Sequence, residues 1–215
     1  KVLAVRLSIG DGPERRADGT RLLASIVDEV AHAPGVGVAA AGDLPGPGMP
    51  GRMSQQVVEF EGCASATGSR TAQTVAVGPG YFAALGLPVR RGRPITAEDT
   101  AGSLPVGVIS ESHSLACWPG QDPVGRRFRL QQPAAAPWIS VVGVVPDTMV
   151  TRLQPDGFQH VYVPYAQRGE LPGALPDFFF QVVVRLLQRR LGVLEFRDVL
   201  DHPDDPFRHI GAVER

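Results

Sequence analysis

The N-terminal stretch constrains the fold more than any other, because it sets two strand patterns and one helix pattern in a fixed order. VLAVRLS, Val2 to Ser8, alternates apolar and polar residues as a half-buried strand does. After Asp18, Leu22, Ile26 and Val30 recur at helical spacing, and Leu23 and Val27 widen that stripe. Pro34 and Gly35 end the helix, and VGVAAA, Val36 to Ala41, offers a second strand. The first third of the chain therefore reads as a β-α-β unit, and the fold class as α/β with mixed sheets.

Further strands follow in short apolar segments. DLPGPGMPG, Asp43 to Gly51, holds three prolines and three glycines in nine positions, and its missing donors and loose backbone make it a surface loop. QQVVEFEG (Gln55 to Gly62) and TAQTVAVG (Thr71 to Gly78) predict a hairpin around CASATGSR. PVGVI (Pro105 to Ile109), a short helix within SESHSLACW, and RRFRLQ come next; Phe128 and Leu130 face one side of the last, Arg127 and Arg129 the other. WISVVGVV (Trp138 to Val145), HVYVPY (His160 to Tyr165) and FFFQVVVR (Phe178 to Arg185) are strands, the last apolar enough to be buried on both faces.

The 215 residues can bury a sizeable core as one domain or as two lobes. The 21 Lys and Arg against 22 Asp and Glu offer no broad attraction to a phosphate backbone, which argues against a nucleic-acid partner. Cys63 and Cys117 stand in no CxxC or Cys/His pattern, so a zinc site is not expected. Pairing in an oxidising compartment and two free buried thiols both remain open. No run approaches the ~20 apolar residues of a membrane-spanning helix, yet a terminus that opens directly on a strand reads as one segment of a larger membrane protein.

VAVGPGYFAALGL, Val75 to Leu87, looks like a phosphate-holding turn. Gly78, Gly80 and Ala83 match the GxGxxA form of a dinucleotide fingerprint, with Asp99 as the acid to seek at a ribose. Against this, Pro79 removes a backbone donor, Gly86 and Pro88 stop the helix at once, and Asp99 sits in TAED, a helix start. The expectation is a tight turn into a short helix, with Tyr81, Phe82 and Leu85 packed inward, followed by a strand PVRRGRPI whose Arg90, Arg91 and Arg93 are largely solvated. Ser110, Ser112, His113 and Ser114 cluster without a GxSxG elbow, and Ser110 reads as a helix N-cap with Glu111 in the first turn. His32, His160, His202 and His209 lack HExxH spacing and read as surface residues, while DHPDDP, Asp201 to Pro206, lacks the glycine and terminal glutamate of a calcium loop. No catalytic, cofactor-binding or metal residue is assigned.

The blocks VAVGPGYFAALGLPVRRGRPITAEDTAG, PVGVISES, WPGQDPVGRRFRL, ISVVGVVPD and HVYVPYAQ, in that order, resemble the periplasmic core domain of MacB-like and FtsX-like ABC transporter permeases. The likeness runs from about Val2 to Arg185. Its glycines and prolines have architectural roles: Gly80 turns the chain ahead of Tyr81 and Phe82, Gly92 and Arg93 bend a strand, and Pro119, Gly120, Asp122, Pro123 and Gly125 shape two turns.

The resemblance implies a core of two subdomains over residues 1–185, on the periplasmic side of the inner membrane and carried between transmembrane helices. It implies a cytoplasmic ATPase partner, a periplasmic partner or cargo protein, a homodimer, and transmission of an ATP-driven change without enzymatic chemistry. Residues 186–215 depart from the family pattern as a divergent tail, which leaves a truncated, inactive relic of such a permease as the alternative. A nucleotide-binding or serine-dependent enzyme is the alternative from another class.

Overall fold

Helix α1 begins ahead of Asp18, at Pro13, because proline's preset φ and missing N–H suit the first helical position. The computed structural model describes residues 2–8, 13–43, 55–63, 69–131, 136–148, 159–170, 179–186 and 212–213. In chain order these form β1 (Val2–Ser8), α1 (Pro13–Ala31), β2 (Val36–Gly42), β3 (Gln55–Phe60), β4 (Ser69–Val77), α2 (Tyr81–Leu85) and β5 (Arg91–Gly92). Then come β6 (Val106–Ser110), α3 (Glu111–Cys117), β7 (Arg127–Leu130), β8 (Ile139–Val145), β9 (His160–Pro164), a 3-10 turn (Tyr165–Glu170), β10 (Phe179–Leu186) and β11 (Ala212–Val213).

The N-terminal β-α-β unit is present, with a third strand wedged into it. β10 pairs antiparallel with both β1 and β2, so those two run parallel at one remove. α1 lies against β2 and buries Leu23 and Val30, while Ile26 and Val27 are half-buried. β11 extends the sheet beyond β1 at Ala4 and Val5. This strand lies in the expected tail, whose residues 187–211 and 214–215 are outside the described residues, as are 44–51 of the expected surface loop.

The remaining strands close on themselves. β4 pairs β3, β3 pairs β7, β7 pairs β8, β8 pairs β6, β6 pairs β9, and β9 returns to β4 in parallel, which makes a six-stranded barrel of mixed direction. Alternation fills its interior with Val58, Phe60, Ala72, Phe128, Leu130, Ile139, Val141, Val161 and Val163. Gly107 belongs to this layer because a Cβ there would stand 2.7 Å from the Phe128 ring. β6 and β9 are buried on both faces, since α2 covers the outer side with Tyr81, Phe82 and Ala84 against Val75, Val108 and Tyr162. The open sheet's ladder joins the barrel at Gly42 opposite Val77, flanked by backbone bonds from Gly78 N–H to Ala41 O and from Asp43 N–H to Ala76 O, each at 2.8 Å.

Two local expectations change. The strand expected in PVRRGRPI shortens to Arg91–Gly92, because Pro88 and Pro94 bound it and offer no ladder donor. Arg90 and Arg93 still donate their backbone N–H groups to Val144 and Val142, each at 2.8 Å. TAED is a turn and not a helix start, closed by Asp99 N–H to Thr96 O at 3.2 Å.

Candidate functional site

The stretch VAVGPGYFAALGL folds as a turn into a short helix. Gly80 holds φ 78°, a left-handed value that side chains other than glycine's disfavour. Helix α2 is five residues long, too short to present a dipole to a pyrophosphate. Tyr81 and Phe82 are buried as expected and Leu85 is half-buried.

Gly78 and Asp99, distant in sequence, do meet on one cleft of about 280 Å³, whose walls also include Arg21, Pro79, Ile95 and Tyr165. The Asp99 carboxylate is already committed there. It accepts two bonds from the Arg93 guanidinium at 2.8 Å each and one from Thr96 N–H at 2.8 Å. Burial pushes its pKa up, but the Arg93 and Thr96 donors outweigh that and hold it below the usual carboxylate range. Arg93 is exposed, as are Arg90 and Arg91, yet its guanidinium also brackets the loop from Pro94 to Asp99. The lining is mostly apolar, with Arg21, Thr96 and Asp99 among its polar side chains.

The members of the serine and histidine cluster turn to different surroundings. Ser110 occupies the N-cap position of α3, but its hydroxyl makes no cap bond. It accepts the backbone N–H of His160 at 3.1 Å instead. The cap comes from across the sheet, where Asp147 Oδ1 accepts Ser112 N–H at 3.3 Å and Ser112 Oγ–H at 2.7 Å. His113 faces inward, fully buried, with its ring 4.9 Å from that of Phe60. Desolvation first, then the neighbouring charges of Arg70 and His160, hold His113 down to about 3. The backbone of Gln159 offsets this only in part, and among the described residues neither ring nitrogen reaches hydrogen-bond geometry. No serine hydroxyl therefore meets an imidazole nitrogen of His113.

His32 is exposed, with Nδ1 2.7 Å from Asp28 O, as a surface residue should be. His160 is not: it is buried in β9, stacked on Tyr162 at 5.6 Å, with Nδ1 3.3 Å from Thr148 Oγ1. His202, His209 and Asp201 to Pro206 lie outside the described residues. Among the described residues no group of three or more His, Cys, Asp or Glu side chains could hold a metal, and no helix is long and apolar enough to cross a membrane.

Three features go beyond what the sequence settled. Cys63 and Cys117 form a disulfide, which decides between the two alternatives their spacing left open. Gln167, buried in the 3-10 turn, accepts Val106 N–H at 3.1 Å and donates to Thr100 O, Ser103 Oγ and Leu104 O, so one side chain orders the loop before β6. Arg127 and Arg129 pair with Glu61 and Glu59 on the barrel's outer face, and both guanidinium groups lie over Trp138, at 5.5 and 4.8 Å from its centroid. Alternation along β7 indicated which side the arginines would face, though not their partners.

The model of the MacB-like periplasmic core domain matches residues 22–189. No curated protein matches the chain in sequence. Among solved structures, the periplasmic region of MacB from Actinobacillus actinomycetemcomitans is similar at TM-score 0.57 and 17% identity, over 92% of this chain and 80% of that one. The extracellular domain of the ABC-type transporter YknZ from Gram-positive bacteria is similar at TM-score 0.54 and 14% identity, over 92% of this chain and 88% of that one. With most of its length matched by that model, and with the mixed, strand-rich fold of those domains, the chain belongs to the MacB-like periplasmic core domain family of ABC transporter permeases.

Proposed function

We propose that this chain is the extracytoplasmic part of a permease, and that it transmits a conformational change driven by ATP in the cytoplasm to the export or release of a substrate outside the membrane. The observation that carries this reading is the family match over residues 22–189. The disulfide supports the compartment, because such bonds persist in oxidising surroundings and are rare in the cytosol. The core ends near residue 185 and comprises two subdomains, the open sheet with α1 and the closed barrel, meeting at the Gly42 and Val77 rung. Anchoring helices in the inner membrane link it to an ATPase. Its partners on the far side are a periplasmic cargo or partner protein, received through loops such as Asp43 to Gly51, and a second copy of the chain. The domain itself performs no catalysis.

Deleting the domain from its full-length permease tests this. ATP hydrolysis should persist in membrane vesicles while export or release falls to background; export at the undiminished rate would overturn the reading.

A further inference from the structure

Cys63 and Cys117 stand 54 residues apart in sequence, and the segments they join meet a second time beside them. Trp118 Nε1–H donates to Glu61 O at 2.9 Å. Cys63 follows the end of β3, and Cys117 is the last residue of α3. Helix α3 covers Phe60, whose ring lies 4.9 Å from that of His113 and 5.7 Å, edge-on, from that of Trp118. A helix of seven residues has little stability of its own and depends on what it packs against. Its first turn is tied down by Asp147; its last turn is tied by the disulfide, the indole bond and the ring contacts.

We propose that the Cys63–Cys117 disulfide is a redox-operated latch that holds α3 over Phe60, closed by oxidation and opened locally by thiols. This goes beyond the transport reading and stands whether or not that reading does. The barrel's six ladders close without α3, so opening the latch leaves the barrel folded and bares Phe60, His113 and Trp118.

Exposure sets the route. Cys117 is 1% exposed, whereas Cys63 is half-buried, so exchange enters at Cys63. A reductant thiolate attacks Cys63 Sγ, the S–S electron pair leaves on Cys117 Sγ, and that sulfur takes a proton. A second thiolate then releases Cys63 from the mixed disulfide as the reductant's own disulfide forms, and Cys63 takes a proton. Two thiols are oxidised and one protein disulfide is reduced, with two electrons and two protons transferred. Closing is the reverse reaction, with a small-molecule or protein disulfide as oxidant.

Amide hydrogen exchange on the full chain, with and without dithiothreitol, tests the latch. Exchange should accelerate ~10-fold or more at residues 61–63 and 111–118, with the barrel strands still protected. In a Trp138→Phe background, Trp118 emission should shift to the red on reduction. Unchanged exchange and emission would overturn the proposal, and so would an even loss of protection through all six barrel strands. The route is tested on the oxidised wild-type chain: after brief exposure to reduced glutathione and quenching with an alkylating agent, peptide mapping should find the glutathione mixed disulfide on Cys63 and the alkyl group on Cys117. The mixed disulfide on Cys117 instead would overturn entry at Cys63.

Discussion

The Tyr81 hydroxyl donates to the backbone oxygen of Asp43 at 2.7 Å, across the line where the open sheet meets the barrel. Asp43 also binds β4 twice, giving its own N–H to Ala76 O at 2.8 Å and accepting Ala76 N–H on Oδ2 at 3.0 Å. Burial above all, with smaller contributions from Tyr162 and Asp43, pushes the Tyr81 phenol well above its ordinary pKa, so it stays a donor at every working pH.

Tyr81→Phe keeps the buried ring and removes that bond, leaving the Asp43 carbonyl to find another donor. The loss should be about 1 kcal/mol in urea unfolding, with the slope against denaturant unchanged.

His113 carries an acid-dependent cost. Its folded pKa of about 3 lies below the unfolded 6.5, so below the higher value the unfolded chain binds the proton more readily. Stability is full above the unfolded pKa and falls as pH drops through the window between the two. Between pH 7 and pH 5 the loss from this residue should be about 2 kcal/mol. His113→Leu removes the titration and two buried polar nitrogens, so its stability should vary less with pH over that range. An equally steep profile in the variant would assign the acid lability elsewhere.

Gly92 has φ +68°, and a Cβ there would overlap the carbonyl oxygen of Val142 on the neighbouring strand. Backbone, unlike a flexible side chain, cannot swing aside. Gly92→Ala should therefore cost at least ~2 kcal/mol, the strain of a left-handed alanine plus displacement of β5 from β8. A thermal unfolding midpoint unchanged from wild type would contradict this.

Asp99→Asn removes the charge that binds Arg93 and leaves a side chain 4% exposed with a poorer acceptor. The expected destabilisation is about 1–3 kcal/mol at pH 7. The wild-type carboxylate titrates below its ordinary 3.8 when folded, so its contribution is present above that pH and disappears on further acidification. Variant and wild type should converge in stability at the acid end.

Local features were legible because their causes are local. Alternation marked β7, helical spacing marked α1, and the turn chemistry around Gly80 announced a short helix. Gly86 and Pro88 likewise marked the abrupt end of α2. At Ser110 and His160 the sequence misled because a distant partner intervened. Ser110 has a good cap side chain, but Asp147 supplies the cap and the Ser110 hydroxyl binds β9. His160 looked like a surface histidine until β9 was enclosed on both faces.

From its own residues the chain specified a strand-rich mixed fold, its element types and, through the order of its turn signatures, its family. Tertiary structure alone decided that β10 enters between β1 and β2, that β9 closes the barrel onto β4, that Cys63 bonds Cys117, and that Asp99 is spent on Arg93. The division has one physical reason. Periodicity and backbone preference act over a few neighbouring residues, whereas pairing and burial depend on which remote segments the folded chain brings within a few ångströms.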